Sequence, residues 1–247
     1  MRWAVILTAV LAEYEAVTAF LADRATDGGS PYVMGTLPGT PAGWRVAVVM
    51  TGHGSAAAAA ELSRAAAVFG PEIALFVGVA GGRKDVALGD VVVADVVYDC
   101  EAGRATRDRN EPRIRTHFPD IDLLQQAVQV AAGRRWQQRI GPDGQATSPA
   151  CFIKPIATVS KVIADSRSAA ASVVSELAGD AVAVEMEGFG FLEGARRNPG
   201  VDALVVRGVS DLLKKTSRDD AYWQPVASRH AAAFAVELLC VASAARV

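Results

Sequence analysis

Three carboxylates stand just beyond short apolar runs: Glu13 after Ala4–Leu7, Glu187 after Ala181–Val184 and Asp211 after Ala203–Val206. A fourth, Glu185, lies two residues before Glu187. An ionised carboxylate near a core is costly unless it is paired or hydrogen-bonded, so several around one cleft imply ion-pair structure or placed acids and bases. Taken singly, each has a plain structural reading. Glu13 and Glu187 would each favour the first turn of a helix through its dipole, and Asp211 would pair with Arg207. Glu185 and Glu187 point the same way only where the backbone between them is extended. A further apolar run, Ile73–Val79, ends in Gly78-Val79-Ala80-Gly81-Gly82, a loop so poor in side chains that backbone amides can approach a ligand. The combination suits acid–base work on a small molecule held against a backbone loop.

Such groups need a frame. Short β-rich runs alternate with Ala-rich helical segments, the pattern of an α/β chain whose helices cover both faces of a central, largely parallel or mixed sheet. Strands are expected over Ala4–Leu7, Arg45–Met50, Ile73–Val79, Asp90–Val97, Ile156–Val159, Ala181–Val184 and Ala203–Val206. Helices are expected over Glu13–Ala22, Ser55–Phe69, Ile121–Ala132, Ser166–Leu177, Glu187–Arg196 and Tyr222–Ala244. Ligand contacts in such sheets cluster at the carboxyl ends of strands, where the carboxylates fall. No linker divides the chain, so residues 1–247 are read as one domain.

Composition narrows the function. The 25 Lys and Arg against 27 Asp and Glu give a net charge of -2, so no global field recruits nucleic acid or an anionic membrane. With 51% hydrophobic residues and a mean hydropathy of +0.22 the chain builds a real core. No uninterrupted apolar run approaches the ~20 residues of a membrane span. The three cysteines, Cys100, Cys151 and Cys240, have no zinc spacing or disulfide framework. With no secretory pattern after Arg2, a cytoplasmic protein is expected. His53, His117 and His230 lack metal-ligand spacing, and no GxSxG elbow or Walker loop occurs; neither metal nor cofactor is expected. Thr51-Gly52-His53-Gly54-Ser55-Ala56-Ala57 loosely matches a dinucleotide fingerprint but follows the wrong strand. The basic stretch with Arg104, Arg107, Arg109, Arg113, Arg115 and His117 reads as a solvated loop or as a flap facing phosphate. Trp136 and Trp223 belong to core or subunit interface.

The ordered set Thr8-Ala9 with Glu13, Thr51-Gly52-His53-Gly54, Gly78-Val79-Ala80-Gly81-Gly82 with Leu88-Gly89-Asp90-Val91-Val92, Val184-Glu185-Met186-Glu187 and Val206-Arg207-Gly208-Val209-Ser210-Asp211 resembles the nucleoside phosphorylase and nucleosidase superfamily. The resemblance spans residues 3 to about 240 and is closest to the methylthioadenosine/S-adenosylhomocysteine nucleosidase branch. It implies a partly barrel-like mixed sheet, a homodimer or higher homo-oligomer, and cleavage of the N-glycosidic bond of a purine nucleoside. By resemblance, Asp211 protonates the leaving base with Ser210 orienting it, Glu13 activates water, and Glu187 with Met186 holds the ribose. Val79, Ala80, Gly81, Ile163, Glu185 and Lys161 complete the implied substrate contacts.

Phosphorylases of the superfamily carry an arginine after the first strand and another before the Gly-rich strand end. Here those places hold Thr8-Ala9-Val10-Leu11-Ala12 and Phe76-Val77, so water is preferred to phosphate as nucleophile. Phosphorolysis and a non-catalytic nucleotide sensor are the alternatives. Val79 replaces a hydroxyl residue common in the nucleosidase branch, and Ser160-Lys161-Val162-Ile163 replaces a Gly-Asp-x-Phe segment. Lys154 and Lys161, with Arg83 and Lys84, would suit a phosphorylated 5′ group. In this, together with Tyr98-Asp99-Cys100-Glu101-Ala102-Gly103, the basic stretch and Val184-Glu185-Met186-Glu187-Gly188-Phe189-Gly190-Phe191-Leu192-Glu193, the chain also resembles domains of bacterial defence systems, some of which remove the base from adenine nucleotides.

Overall fold

The apolar runs pair edge to edge into one ten-stranded mixed sheet. The computed structural model describes residues 2–26, 29–38, 44–107, 110–141, 148–213 and 217–245. In chain order the elements are β1 (Trp3–Thr8), α1 (Leu11–Thr18), β2 (Ala22–Thr26), β3 (Val33–Thr36), β4 (Arg45–Met50), α2 (Ser55–Phe69), β5 (Ile73–Gly82) and β6 (Val91–Asp99). Then come β7 (Gly103–Ala105), β8 (Asn110–Pro112), β9 (Arg115–His117), α3 (Ile121–Gly133), a 3-10 helix (Arg135–Ile140), β10 (Cys151–Thr158), α4 (Ala169–Leu177), β11 (Ala183–Glu185), α5 (Gly188–Arg196), β12 (Asp202–Asp211) and α6 (Ser217–Ala245).

The strand order is β11-β10-β6-β12-β5-β1-β4-β3-β2, and β11 pairs again with β5. That last pairing, Ala183 with Gly82 and Val184 with Gly81, closes β5, β12, β6, β10 and β11 into a barrel. β1, β4, β3 and β2 run out from β5 as an open arm, β9 pairs with β6, and β7 and β8 form a separate two-stranded sheet. The barrel corner falls on glycines because it is crowded: a Cβ on Gly82 would lie 2.8 Å from side-chain carbons of Val209 and Val86, and a tight bend has no room for one. The two faces of the sheet carry separate cores. One packs β1, β4, β5 and β12 against α3 and the Ala-rich α6; the other packs the opposite face against α2 and α5.

The expected elements recur with shifted ends. The first helix stops at Thr18, not Ala22, because Ala22 begins β2. The last strand runs to Asp211 rather than Val206, which puts Arg207 inside the sheet. The strand expected over Ile156–Val159 begins at Cys151, and its register against β6 slips between Lys154 and Ile156, where Pro155 has no N–H for the ladder. The helix expected from Ser166 begins after Ser168, whose hydroxyl accepts from Ala171 N at 3.2 Å. Residues 221–242 of α6 are long and apolar enough to cross a membrane by length and composition, yet most of that stretch is buried inside the protein. Trp136 is buried beside Phe234 of this helix.

Candidate functional site

The carboxyl ends of β1, β5, β11 and β12 converge on a cavity of about 110 Å³. Glu13 enters from the first turn of α1. Its Oε2 accepts from Ala9 N at 2.6 Å and Val10 N at 3.1 Å, and its Oε1 accepts from Val79 N at 2.8 Å. The loop after β1 and the end of β5 are thereby tied together by one carboxylate. Burial pushes the Glu13 carboxyl above the ordinary range, opposed by the positive charge of Arg207 and these three N–H donors.

Arg207 is the counter-charge, and it is fully buried. Its Nη2 donates to Glu185 Oε2 and, at 3.2 Å, to Glu187 Oε2, while its guanidinium carbon lies 4.5 Å from the Phe76 ring centroid. Glu185 is held by four donors: Arg207, the Thr158 hydroxyl, Glu187 N at 2.9 Å and Gly188 N at 2.7 Å. Gly188 N is the first free N–H group of α5, so Glu185 satisfies the start of that helix. Glu187 accepts from Gly54 N at 2.9 Å, a donor presented by a loop in which Gly52 and Gly54 have φ of 77° and 98°. Only glycine adopts such angles freely. Burial also raises the Glu187 carboxyl, Arg207 lowers it and neighbouring Glu185 raises it further.

Asp211 closes the opposite wall. Its Oδ1 accepts from Leu213 N at 2.9 Å and its Oδ2 lies 3.4 Å from the Ser210 hydroxyl. The remaining wall is apolar, from Val79, Ala80, Val159, Val162, Ile163 and Met186.

All the expected site residues line this one cavity: Glu13, Val79, Ala80, Gly81, Lys161, Ile163, Glu185, Met186, Glu187, Ser210 and Asp211. Three surrounding expectations are corrected, and the arginines of the basic stretch that are described, Arg104, Arg107, Arg113 and Arg115, are exposed. The ion pairs of Arg207 run to Glu185 and Glu187, not Asp211, because β12 remains extended through Arg207. Arg83 donates to the carbonyls of Ala181, Ala178 and Gly179, and Lys84 to Gly179; both close the end of α4 rather than face the cavity. Lys154 is exposed on β10, away from the cavity lining, whereas Lys161 stands on its rim. In the basic stretch, Arg115 pairs with Asp99 and packs over Phe189, and His117 pairs with Glu193; Arg109 lies outside the described residues.

Sequence reasoning missed the role of Arg207. The arginines of a phosphorylase would stand at Thr8–Ala12 and Phe76–Val77, and Arg207 was expected to pair with Asp211, but Arg207 reaches the first place from the neighbouring strand, facing Gly78. The signal was there: one charged residue in an otherwise apolar run, followed by glycine. Gln224 of α6 also reaches the cavity, and no pattern in the sequence marks it.

The profile of the Phosphorylase superfamily matches residues 4–240. No curated protein matches the sequence. Among solved structures, the 5′-methylthioadenosine/S-adenosylhomocysteine nucleosidase of Neisseria meningitidis, in complex with methylthio-immucillin-A, superposes with a TM-score of 0.78 at 18% identity, over 97% of this chain and 99% of that one. The S-adenosylhomocysteine nucleosidase of Streptococcus pyogenes gives 0.78 at 19%, over 96% of each. Futalosine hydrolase of Helicobacter pylori gives 0.77 at 20%, over 96% and 97%. At these identities the likeness shows the shared fold, and the match over residues 4–240 establishes that the chain belongs to the phosphorylase superfamily.

Proposed function

We propose that this protein hydrolyses the N-glycosidic bond of a purine nucleoside or nucleotide, with adenine the favoured base. The observation that carries the reading is the convergence of Glu13, Glu187 and Asp211 on one small cavity, delivered by three different strand ends. In this reading Asp211 donates a proton to the base as the C1′–N bond breaks, and the bond's electron pair leaves with the base. Glu13 accepts a proton from the attacking water. Glu187 hydrogen-bonds the ribose hydroxyls and, with the negative charge around it, stabilises the cationic sugar; Met186 packs beneath the ring.

Water is favoured over phosphate because the amides of Ala9, Val10 and Val79 already hold a carboxylate. The natural names of the similar structures, two nucleosidases and a futalosine hydrolase, lean the same way. Lys161 at the rim supports a phosphorylated 5′ group as the second reading. A sensor without turnover would not need a base, an acid and a ribose ligand together. The protein is read as cytoplasmic and as a homodimer or larger homo-oligomer.

The test is release of free base from methylthioadenosine, S-adenosylhomocysteine, adenosine, AMP and ATP, with and without inorganic phosphate, followed by chromatography. Release without phosphate from at least one substrate is expected. A strict requirement for phosphate, or no release from any of them by folded protein, overturns the proposal.

A further inference from the structure

One wall of the cavity has little behind it. The ladder between β6 and β10 ends with Asp99 beside Thr158, Cys100 N adds one more rung to Thr158 O at 3.2 Å, and the chain then runs from Val159 to Ile163 along the cavity. Val159 and Ile163 are buried in a small core with α4, but Ser160, Lys161 and Val162 between them are exposed. Val159 and Lys161 also line a second cavity, of about 560 Å³, shared with α4 and the β7–β8 hairpin. Val159 and Ser160 border a third, of about 420 Å³. Packing therefore does not fix the middle of this wall. A carboxylate ties it instead: Glu101 Oε1 accepts from Ser160 N at 3.0 Å, and among the described residues no other side chain takes an N–H from Ser160, Lys161 or Val162. Glu101 is itself set, because its N donates to Asp99 Oδ1 at 3.0 Å and Asp99 Oδ2 accepts from Arg115 Nε at 3.0 Å. Its side chain spans the point where the two strands part and backbone no longer reaches backbone.

We infer that Glu101 is a positioning residue: through Ser160 N it sets the wall of Lys161, Val162 and Ile163 against Ser210 and Asp211 across the cavity, and with it the grip on the base. Glu101 is not among the residues that line this cavity, so it acts through the wall and not by touching substrate. What the wall grips rests on the hydrolase reading above; the tie itself does not. A wall that holds the base alike before and during bond breaking changes KM and leaves kcat alone.

The experiment compares wild type, Glu101→Ala, Glu101→Gln and Glu176→Ala by hydrogen exchange read by mass spectrometry, and by the kinetics of base release from whichever of the five candidate substrates wild type cleaves. Glu101→Ala leaves Ser160 N without its acceptor, and exchange in the peptide covering 159–163 is expected to be about tenfold faster. KM is expected to rise about fivefold, with kcat within about twofold of wild type. Glu101→Gln keeps an oxygen that accepts from Ser160 N and is expected to restore both. Glu176→Ala removes a carboxylate from the α4 side of the second cavity and is expected to match wild type in both. Unchanged exchange at 159–163 in folded Glu101→Ala, or a loss of protection in Glu101→Gln as large as in Glu101→Ala, overturns the inference. So does faster exchange in an active enzyme whose KM is unchanged. Faster exchange in Glu101→Ala, from a protein whose wild type releases no base, upholds the tie and overturns the hydrolase reading instead.

Discussion

Two sets of charges in this molecule behave in opposite ways. At the carboxyl end of the barrel, Glu13, Glu185, Glu187 and Arg207 are buried together, and three carboxylates share the field of one guanidinium. On the outside, Arg83, Lys84 and Arg115 are each spent on a nearby carbonyl or carboxylate. Both sets look alike in the sequence as charged residues near strand ends. The difference is solvent: an exposed pair is worth little, whereas a buried one exists only if its partners are fixed, and fixed partners are what acid–base chemistry requires.

The contrast breaks most completely at Arg207. Arg207→Met leaves three buried carboxylates without their cation, and a loss of about 3–5 kcal/mol is expected, seen as a Tm lowered by about 10 °C or more or as insoluble protein. A Tm within 2 °C of wild type would place the cluster with the surface charges. Next in size, Asp211→Asn is expected to reduce the rate of base release by about 10²–10⁴-fold while substrate affinity, read by calorimetry, stays within a few-fold.

Gly190→Ala sharpens the comparison from outside the cavity. Its Cβ would run into the backbone of Ser55, at the crossing of α2 and α5 that brings Gly54 N to Glu187. A cost of about 1–3 kcal/mol is expected, with kcat lowered more than KM rises; an unchanged kcat would mean that Glu187 keeps its place without this contact.

The pH profile tests the same burial. Because Glu13 must be ionised to take a proton and its carboxyl lies above the ordinary range, the acid limb of kcat/KM is expected at a pH above 4.5. For stability the sign reverses. A raised carboxyl contributes stability fully present below its unfolded value and lost as pH rises through its folded one, so Glu13 and Glu187 destabilise the fold at neutral pH. An acid limb at the ordinary carboxylate value would remove Glu13 as the base. The smallest effect is expected at Lys154→Ala: under 0.5 kcal/mol in urea unfolding and unchanged base release from any substrate.

The sheet's buried strands were legible because continuous apolar runs such as Ile73–Val77 have few other places to go. The edge strand β2 and its neighbour β3 were not, since Ala22–Thr26 is largely exposed and takes its form from pairing with β3 and not from its own pattern. The same division holds at the site. Glu13, Glu187 and Asp211 stand beside strand ends and could be found locally. The pairing of Arg207 could not, because Glu185 and Glu187 meet it only when the barrel closes, and that closure depends on Gly81 and Gly82 having no side chains.

That closure also sets an order of assembly. The pairing of Gly81 and Gly82 with Val184 and Ala183 joins parts of the chain about a hundred residues apart, and the positive charge that Glu13 feels comes from Arg207, later still. Contacts of such long sequence separation form late, because the loop entropy must be met before they reward it. Glu13 therefore remains in water, an ordinary carboxylate, while the early strands collect; burial then raises its proton affinity, and Arg207, arriving with β12, limits the rise. Recovery of activity during refolding would thus report the last step of folding rather than the first, and a chain caught part-way would carry its chemistry unassembled.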